Sequence, residues 1–163
     1  MPSKVKPVPE GYHSVTPYLA IAGASAAIEF YKKAFGAKEL YRMPMGVNRI
    51  GHAEIQIGDS RVMLADESPE MEAYGPKALG GSPVGLLIYV ENVDALFNQA
   101  IQAGAKVIRP LRDQFYGDRS GALEDPFGHK WHLATHIEDL SPDEMMKRMR
   151  EMEKEKETEP VLD

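Results

Sequence analysis

Apolar and polar positions along the chain change period in an order that occurs twice. A short apolar run from Val15 to Ile21 ends in Ala22-Gly23, and Ala24-Ser25 opens a segment whose apolar positions Ile28, Tyr31 and Phe35 recur at helical spacing. Gly36 is a natural C-terminal stop, Ser25 is placed to cap the first amides, and Glu29 with Lys33 is spaced as an i,i+4 pair. Three strand-like runs follow, Lys38 to Met43, Arg49 to Ile57 and Arg61 to Ala65, the last two joined by the turn-forming Gly58-Asp59-Ser60. The order is β-α-β-β-β.

A stretch rich in turn residues, Asp66 to Pro83, separates this unit from a second one. There, Val84 to Val90 predicts a strand, and Val93, Leu96, Ala100 and Ile101 predict a helix that stops at Gly104. Strands follow at Lys106 to Arg109, Arg119 to Glu124 and Lys130 to Thr135. The tripeptide Gly-Ala-Lys stands after each helix, at Gly36 to Lys38 and Gly104 to Lys106, which points to an internal duplication. Ser141-Pro142-Asp143-Glu144 then has the form of a helix start, and Met145, Met149 and Met152 form one stripe expected to dock on the domain. The expected organisation is an extended arm over 1–12, a first module over 13–66, a linker or flap over 67–83, a second module over 84–138, and a C-terminal helix with a charged tail over 139–163. Residues 13–138 form one α+β domain.

Composition narrows the function classes. A chain of 163 residues closes one core or two small repeated ones. A net charge of -6 sets no positive field for phosphate backbones, so nucleic acid is not an expected partner. The absence of cysteine excludes disulfides, thiolate nucleophiles and Cys-ligated zinc. Apolar runs such as Val84 to Val90 fall far short of the roughly 18 to 20 residues of a membrane span, and Met1 to Glu10 do not resemble a signal peptide. A soluble, cytoplasmic protein is the expectation.

The tandem β-α-β-β-β units, with Phe30-Tyr31-x-x-x-Phe-Gly in the first and Glu124-Asp125-Pro126-Phe127-Gly128-His129 in the second, resemble the vicinal oxygen chelate superfamily. Its members include glyoxalase I, extradiol dioxygenases, fosfomycin-modifying enzymes and bleomycin-sequestering proteins. Ser14 to Leu19, Gly117-Asp118-Arg119, Asp125 to Trp131 and Ala134 to Asp139 followed by Ser141-Pro142 look most like its PhnB-like branch. The resemblance covers about residues 13 to 149. It implies a curled, cleft-bearing mixed sheet with helices on the convex side, a small-molecule ligand and a homodimer.

In metal-dependent members, His, Gln or Glu residues on the first and last strands of each unit hold a divalent ion. Counting from the shared motifs places those positions at Thr16, about Leu64, Gly85 and His132, of which only His132 carries a usual ligand. The resemblance therefore implies a glyoxalase- or bleomycin-resistance-like binder with a degenerate metal site, which is also compatible with a cryptic enzyme. The alternative is a lyase, isomerase or dioxygenase using Zn, Mn, Fe, Co or Ni at a relocated set drawn from His13, His52, Glu54, Asp66, His132 and His136. A third reading is an interaction module acting through the C-terminal helix.

The residues themselves point to one strand face. Around His52 the chain alternates, with His52, Glu54 and Gln56 on one side and Ala53, Ile55 and Ile57 on the other. His52 with Glu54 suits a general acid/base pair, two neighbouring metal ligands or a hydrogen-bonding wall. Tyr18, Gln56, Tyr116 and His132 are candidate ligand contacts. Arg119 is either a fork for a ligand carboxylate or phosphate, or a partner of Asp118, Asp66 or Glu124. Trp131 has the opposite parity to His132 and is expected in the core, and His129 is expected to brace its turn.

Overall fold

The computed structural model describes residues 5–158; the first residues of the expected arm, 1–4, and the last of the tail, 159–163, lie outside that range. Strand β1 (Tyr18–Ile21) passes into helix α1 (Ala24–Phe35) through Gly23, whose φ of 97° is open to glycine at little cost. The expected cap, Ser25, is not the one used. Asp66, at the end of the module's last strand, accepts from the amides of Gly23 and Ala24 at 3.0 Å each and from Ile50 at 2.7 Å, while the Ser25 hydroxyl accepts from Arg42. A carboxylate at a helix N-terminus satisfies free donors and opposes the helix dipole favourably. Glu29 pairs with Lys32 at 2.8 Å rather than with Lys33.

Strands β2 (Lys38–Pro44), β3 (Ile50–Ile57) and β4 (Ser60–Asp66) complete the first sheet in the order β1-β4-β3-β2, with β1 parallel to β4 and the other pairs antiparallel. The expected linker is partly ordered, with a 3-10 turn at Pro69–Met71 and a short helix α2 (Pro76–Leu79) whose Pro76 is buried. The second module repeats the first: β5 (Gly85–Tyr89), α3 (Val93–Ala103), β6 (Lys106–Asp113), β7 (Asp118–Glu124) and β8 (Lys130–His136), in the order β5-β8-β7-β6. Strand β6 runs on past Arg109 because it is an edge strand, where Pro110 costs no ladder bond, and its register shifts twice on the way. Here Thr135 does the work of Asp66, its hydroxyl accepting from the Val93 amide at 3.0 Å.

The chain is thus α+β, with two four-stranded mixed sheets and a C-terminal helix. Helices α1 and α3 pack together, joined by Gln99, whose amide donates to the carbonyls of Lys33 and Ala34. One core spans both modules, from Ile21, Ile28, Ile55 and Leu64 to Val93, Leu123, Trp131 and Leu133. At its centre is the buried carboxylate of Asp125. Its Oδ2 accepts from Tyr31 of the first module at 2.6 Å and from the Trp131 indole at 2.9 Å, and its Oδ1 accepts from the amides of Phe127 and His129. Burial first, then the neighbouring Asp125 charge, push the Tyr31 hydroxyl well above its ordinary pKa, so it stays a donor. The His129 ring does not brace its own turn; it reaches the Ala20 carbonyl on β1 at 3.0 Å and so adds a second tie between modules.

The C-terminal helix α4 (Pro142–Thr158) begins as expected, with the Glu144 amide donating to the Ser141 hydroxyl. Its methionine stripe does not dock: Met145 is half-buried, and Met149 and Met152 are exposed. A polar clamp holds the helix instead, with Arg148 bonded through two nitrogens to Glu138, at 2.9 and 2.7 Å, and also to the Phe115 carbonyl.

Tyr31→Phe removes one charge-assisted bond to a buried carboxylate and is expected to lower stability by about 1.5–3 kcal/mol. Urea denaturation checks this, and a midpoint equal to that of the parent chain would refute the central role of the tie.

Candidate functional site

Strand parity divides each sheet into a helix-facing side and an open side. On β3, Ala53, Ile55 and Ile57 are buried and His52, Glu54 and Gln56 are half-buried, so His52 and Glu54 stand on the open side. Across the ladder β2 sets Tyr41 opposite Glu54 and Met43 opposite His52. Tyr18 comes from the edge strand β1, its hydroxyl 2.7 Å from His52 Nδ1, while His52 Nε2 lies 3.2 Å from Glu54 Oε1. The three groups form one hydrogen-bonded line. A neutral His52 accepting from Tyr18 and donating to Glu54 can pass a proton along it.

Tyr12, from the N-terminal arm, closes this face. Its hydroxyl is buried and makes no hydrogen bond of good geometry among the described residues, while its ring lies under the Arg61 guanidinium at 4.8 Å. The nearby Tyr12 hydroxyl, then His52 and Arg61, hold the Glu54 carboxyl below the usual carboxylate range against the opposing effect of burial. Burial, reinforced by Glu54, pushes the Tyr18 hydroxyl up. The sequence predicted only an extended arm over 1–12, and nothing in its spacing marked Tyr12 as part of the site.

Other candidates land elsewhere. Gln56 donates to the Gly58 carbonyl within its own turn. Arg119 shares parity with Gly121 and Leu123, which face α3, and its guanidinium is taken up by Asp94, at 2.9 and 2.8 Å, and Asp113 at 3.0 Å. None of the partners proposed for it from the sequence is the observed one. Tyr116 lies 3.2 Å from the Ser120 hydroxyl. His13 is exposed on the arm, and Asp66 is committed to capping α1. Among the described residues no three His, Asp or Glu side chains converge as a metal-binding group, so the relocated set is not brought together.

The positions matching the family's metal ligands can be checked against the ladders. Tyr18 pairs with Met63 and Leu87 with His132, and Tyr18 and Leu87 stand equally far before the first residues of their helices, Ala24 and Val93, so Met63 is the equivalent of His132. Leu64 is fully buried on the helix side, one residue out of phase with an open-face ligand. Thr16, Met63 and Gly85 offer only a hydroxyl, a thioether and no side chain. Gly85 also leaves the room that His132 needs, since a Cβ there would lie 2.5 Å from the ring. The His132 Nδ1 accepts from Arg109 at 3.1 Å, and burial first, then the charges of Arg109 and Lys130, lower its pKa. A cation at that place meets an existing positive field. Arg109 was hidden in the sequence by the irregular register of β6.

A second polar group lies at the far end of the same sheet. Buried Asp118 accepts from the Tyr89 hydroxyl at 2.7 Å and lies 2.7 Å from His136 Nδ1, whose other nitrogen is 2.7 Å from Asp139. Asp118 first, then Asp139, raise the His136 pKa. Gly117 sits against the Glu138 carbonyl too closely for any side chain and accepts from the Ile137 and Glu138 amides. The Gly117-Asp118-Arg119 and Thr135 to Asp139 segments therefore form one structural unit.

Two βαβββ modules joined through their helices, each with polar side chains on an open sheet face, define a paired-module fold. The chain belongs to the Glyoxalase/Bleomycin resistance protein/Dioxygenase superfamily, whose model matches residues 13–133. It is 41% identical over 139 residues to the uncharacterized protein Mb0911c of Mycobacterium bovis, an alignment covering 83% of this chain and 91% of that one. YjdN of Escherichia coli is 26% identical over 141 residues, covering 73% and 92%. Among solved structures, TioX from Micromonospora sp. ML1 matches 79% of this chain and 100% of its own at 26% identity and a TM-score of 0.60. A PhnB protein from Bacillus cereus has the same fold, with a TM-score of 0.59 at 19% identity, covering 76% and 99%.

His132, half-buried, and His136, exposed, should titrate on opposite sides of the ordinary value of about 6.5. His136 has a raised folded-state pKa, so its contribution to stability is complete below the unfolded value and lost as pH rises through the folded one. His132 has a lowered one, so its contribution is present above the unfolded value and lost as pH falls. NMR titration of the ring protons checks this, and a His132 midpoint above that of His136 would contradict the geometry.

Proposed function

We propose that this chain is a small-molecule-binding member of the superfamily, of the PhnB-like branch, with its ligand on the open face carrying Tyr18, His52 and Glu54. The observation that supports this most is the hydrogen-bonded line of those three residues. It lies on a sheet face that the core does not need, beside the buried Tyr12 hydroxyl, which stands close enough to Glu54 to hold its carboxyl low. In this reading the four inherited positions no longer form a metal site, because three of them lack a usual donor and the fourth is engaged by Arg109.

The protein acts as a homodimer in the cytoplasm in this proposal. Pairing of two chains over their open faces accounts for the exposure of Tyr41, Met43, Leu87 and Tyr89, at 47–60%, on sheets whose other sides carry the core. The same Tyr18-His52-Glu54 line favours a second reading, in which the bound molecule also loses or gains a proton at His52.

Replacing His52 and Glu54 together by Ala is expected to leave the thermal midpoint nearly unchanged and to abolish binding of compounds found by screening small polar and aromatic molecules against the parent chain. Retained binding in the double variant would remove this face as the site. After incubation with Zn, Mn, Fe, Co or Ni and desalting, elemental analysis should find far less than one ion per chain. Near-stoichiometric retention would restore the metal-dependent alternative.

A further inference from the structure

The two modules meet differently at their two pseudo-equivalent junctions. At one, the Asp125 to His129 turn of the second module docks on the first. Asp125 meets Tyr31, Phe127 packs against Phe30, and Trp131 lies against Tyr31 and Phe35 with ring centroids 5.2 and 4.8 Å apart. At the other, the turn of the first module should dock in the same way on the second, and its residues are too small. Ile57 stands where Asp125 does, Gly58-Asp59 replaces Pro126-Phe127-Gly128, and Val62 replaces Trp131. Ala100, the eighth residue of α3, stands where Tyr31, the eighth residue of α1, does. The volume that the aromatic plug fills on one side is left open on the other.

That opening is a cleft of about 760 Å³. It is walled by Phe35, Ile57, Val62, Leu86, Ile88 and Trp131, with Arg61, Ser60 and His13 among its polar lining. A cleft of this size and character is within the range used for small-molecule ligands. Arg61 carries a further sign. Of the half-buried arginines among the described residues, Arg42, Arg119 and Arg148 are each paired with a carboxylate. Arg61 has no carboxylate within 4.0 Å; it is held over the Tyr12 ring, near enough to Glu54 to help keep that carboxyl low, and it forms part of the cleft lining.

The geometry points to a second binding site, in the cleft between the modules, for a small carboxylate with an aromatic body. The ring lies against Phe35, Trp131, Leu86 and Ile88, and the carboxylate meets Arg61. This goes beyond the open-face reading, because the cleft lies between β5, the β3–β4 turn and the segment that leads into β1, and neither His52 nor Glu54 lines it.

Trp131 is the only tryptophan in the chain and one wall of this cleft, so a molecule seated there is expected to change its emission. The probe is 4-phenylbutanoate, compared with its uncharged amide. The carboxylate is expected to change Trp131 emission saturably and to bind roughly tenfold more tightly than the amide, the scale of one charge-assisted contact. Arg61→Gln should erase that preference, and Val62→Phe or Leu86→Phe, which fill the cleft from opposite walls, should abolish the response while the chain still melts cooperatively. His52→Ala should leave it intact. Absence of a saturable response, equal affinity for acid and amide, or survival of binding in both filled variants would each overturn the proposal. Loss of the response in His52→Ala would place the probe on the open face, which overturns the cleft site while sparing the reading above.

Discussion

Every other feature of the molecule rests on the Asp125 carboxylate and its four donors. A buried charge is tolerated only when its lone pairs are filled, and here one donor comes from the first module, one from a neighbouring strand and two from its own turn. That geometry ties α1 to the turn between β7 and β8. It also places Trp131 against Phe35 and Tyr31, and so sets the packed junction from which the looser one differs. With helices and aromatic side chains spent on holding the modules together, both sheets keep their other faces open. The polar groups gather on those faces.

Much of this was legible because it has a short period. The two β-α-β-β-β units, the alternation through His52 and Glu54, the core position of Trp131 and the Ser141 cap all follow from spacing within one element. What escaped notice depends on partners far along the chain. Asp66 reads as a candidate ligand until its strand end is seen beside the start of α1. Ser25 reads as a cap until that role is taken by Asp66. The Asp125 turn was visible as a motif, but its role needs Tyr31, which is brought to it only by the docking of the two modules.

The errors at the site have a common physical origin in parity. Leu64 was counted as an open-face position, yet one residue along a strand reverses the face, and the ladder sets Met63 there. Arg119 could have been recognised as helix-facing from Gly121 and Leu123, which share its phase. Arg109 could not, because β6 shifts register on both sides of it, and alternation counted from Lys106 breaks down there. Tyr12 belongs to no periodic element at all.

Duplication explains why one backbone carries such different chemistry at matching positions. Where a job is forced by the fold, both copies keep it with different residues: Asp66 and Thr135 each cap the helix of their own module from the last strand. Where the fold does not force it, the copies drift apart. Met63 and His132 face the same way on their sheets, but only one can bond, and it has acquired Arg109 as its partner. Trp131 and Val62 both look into the seam between the modules, and the difference in their volume closes the seam at one end and opens it at the other.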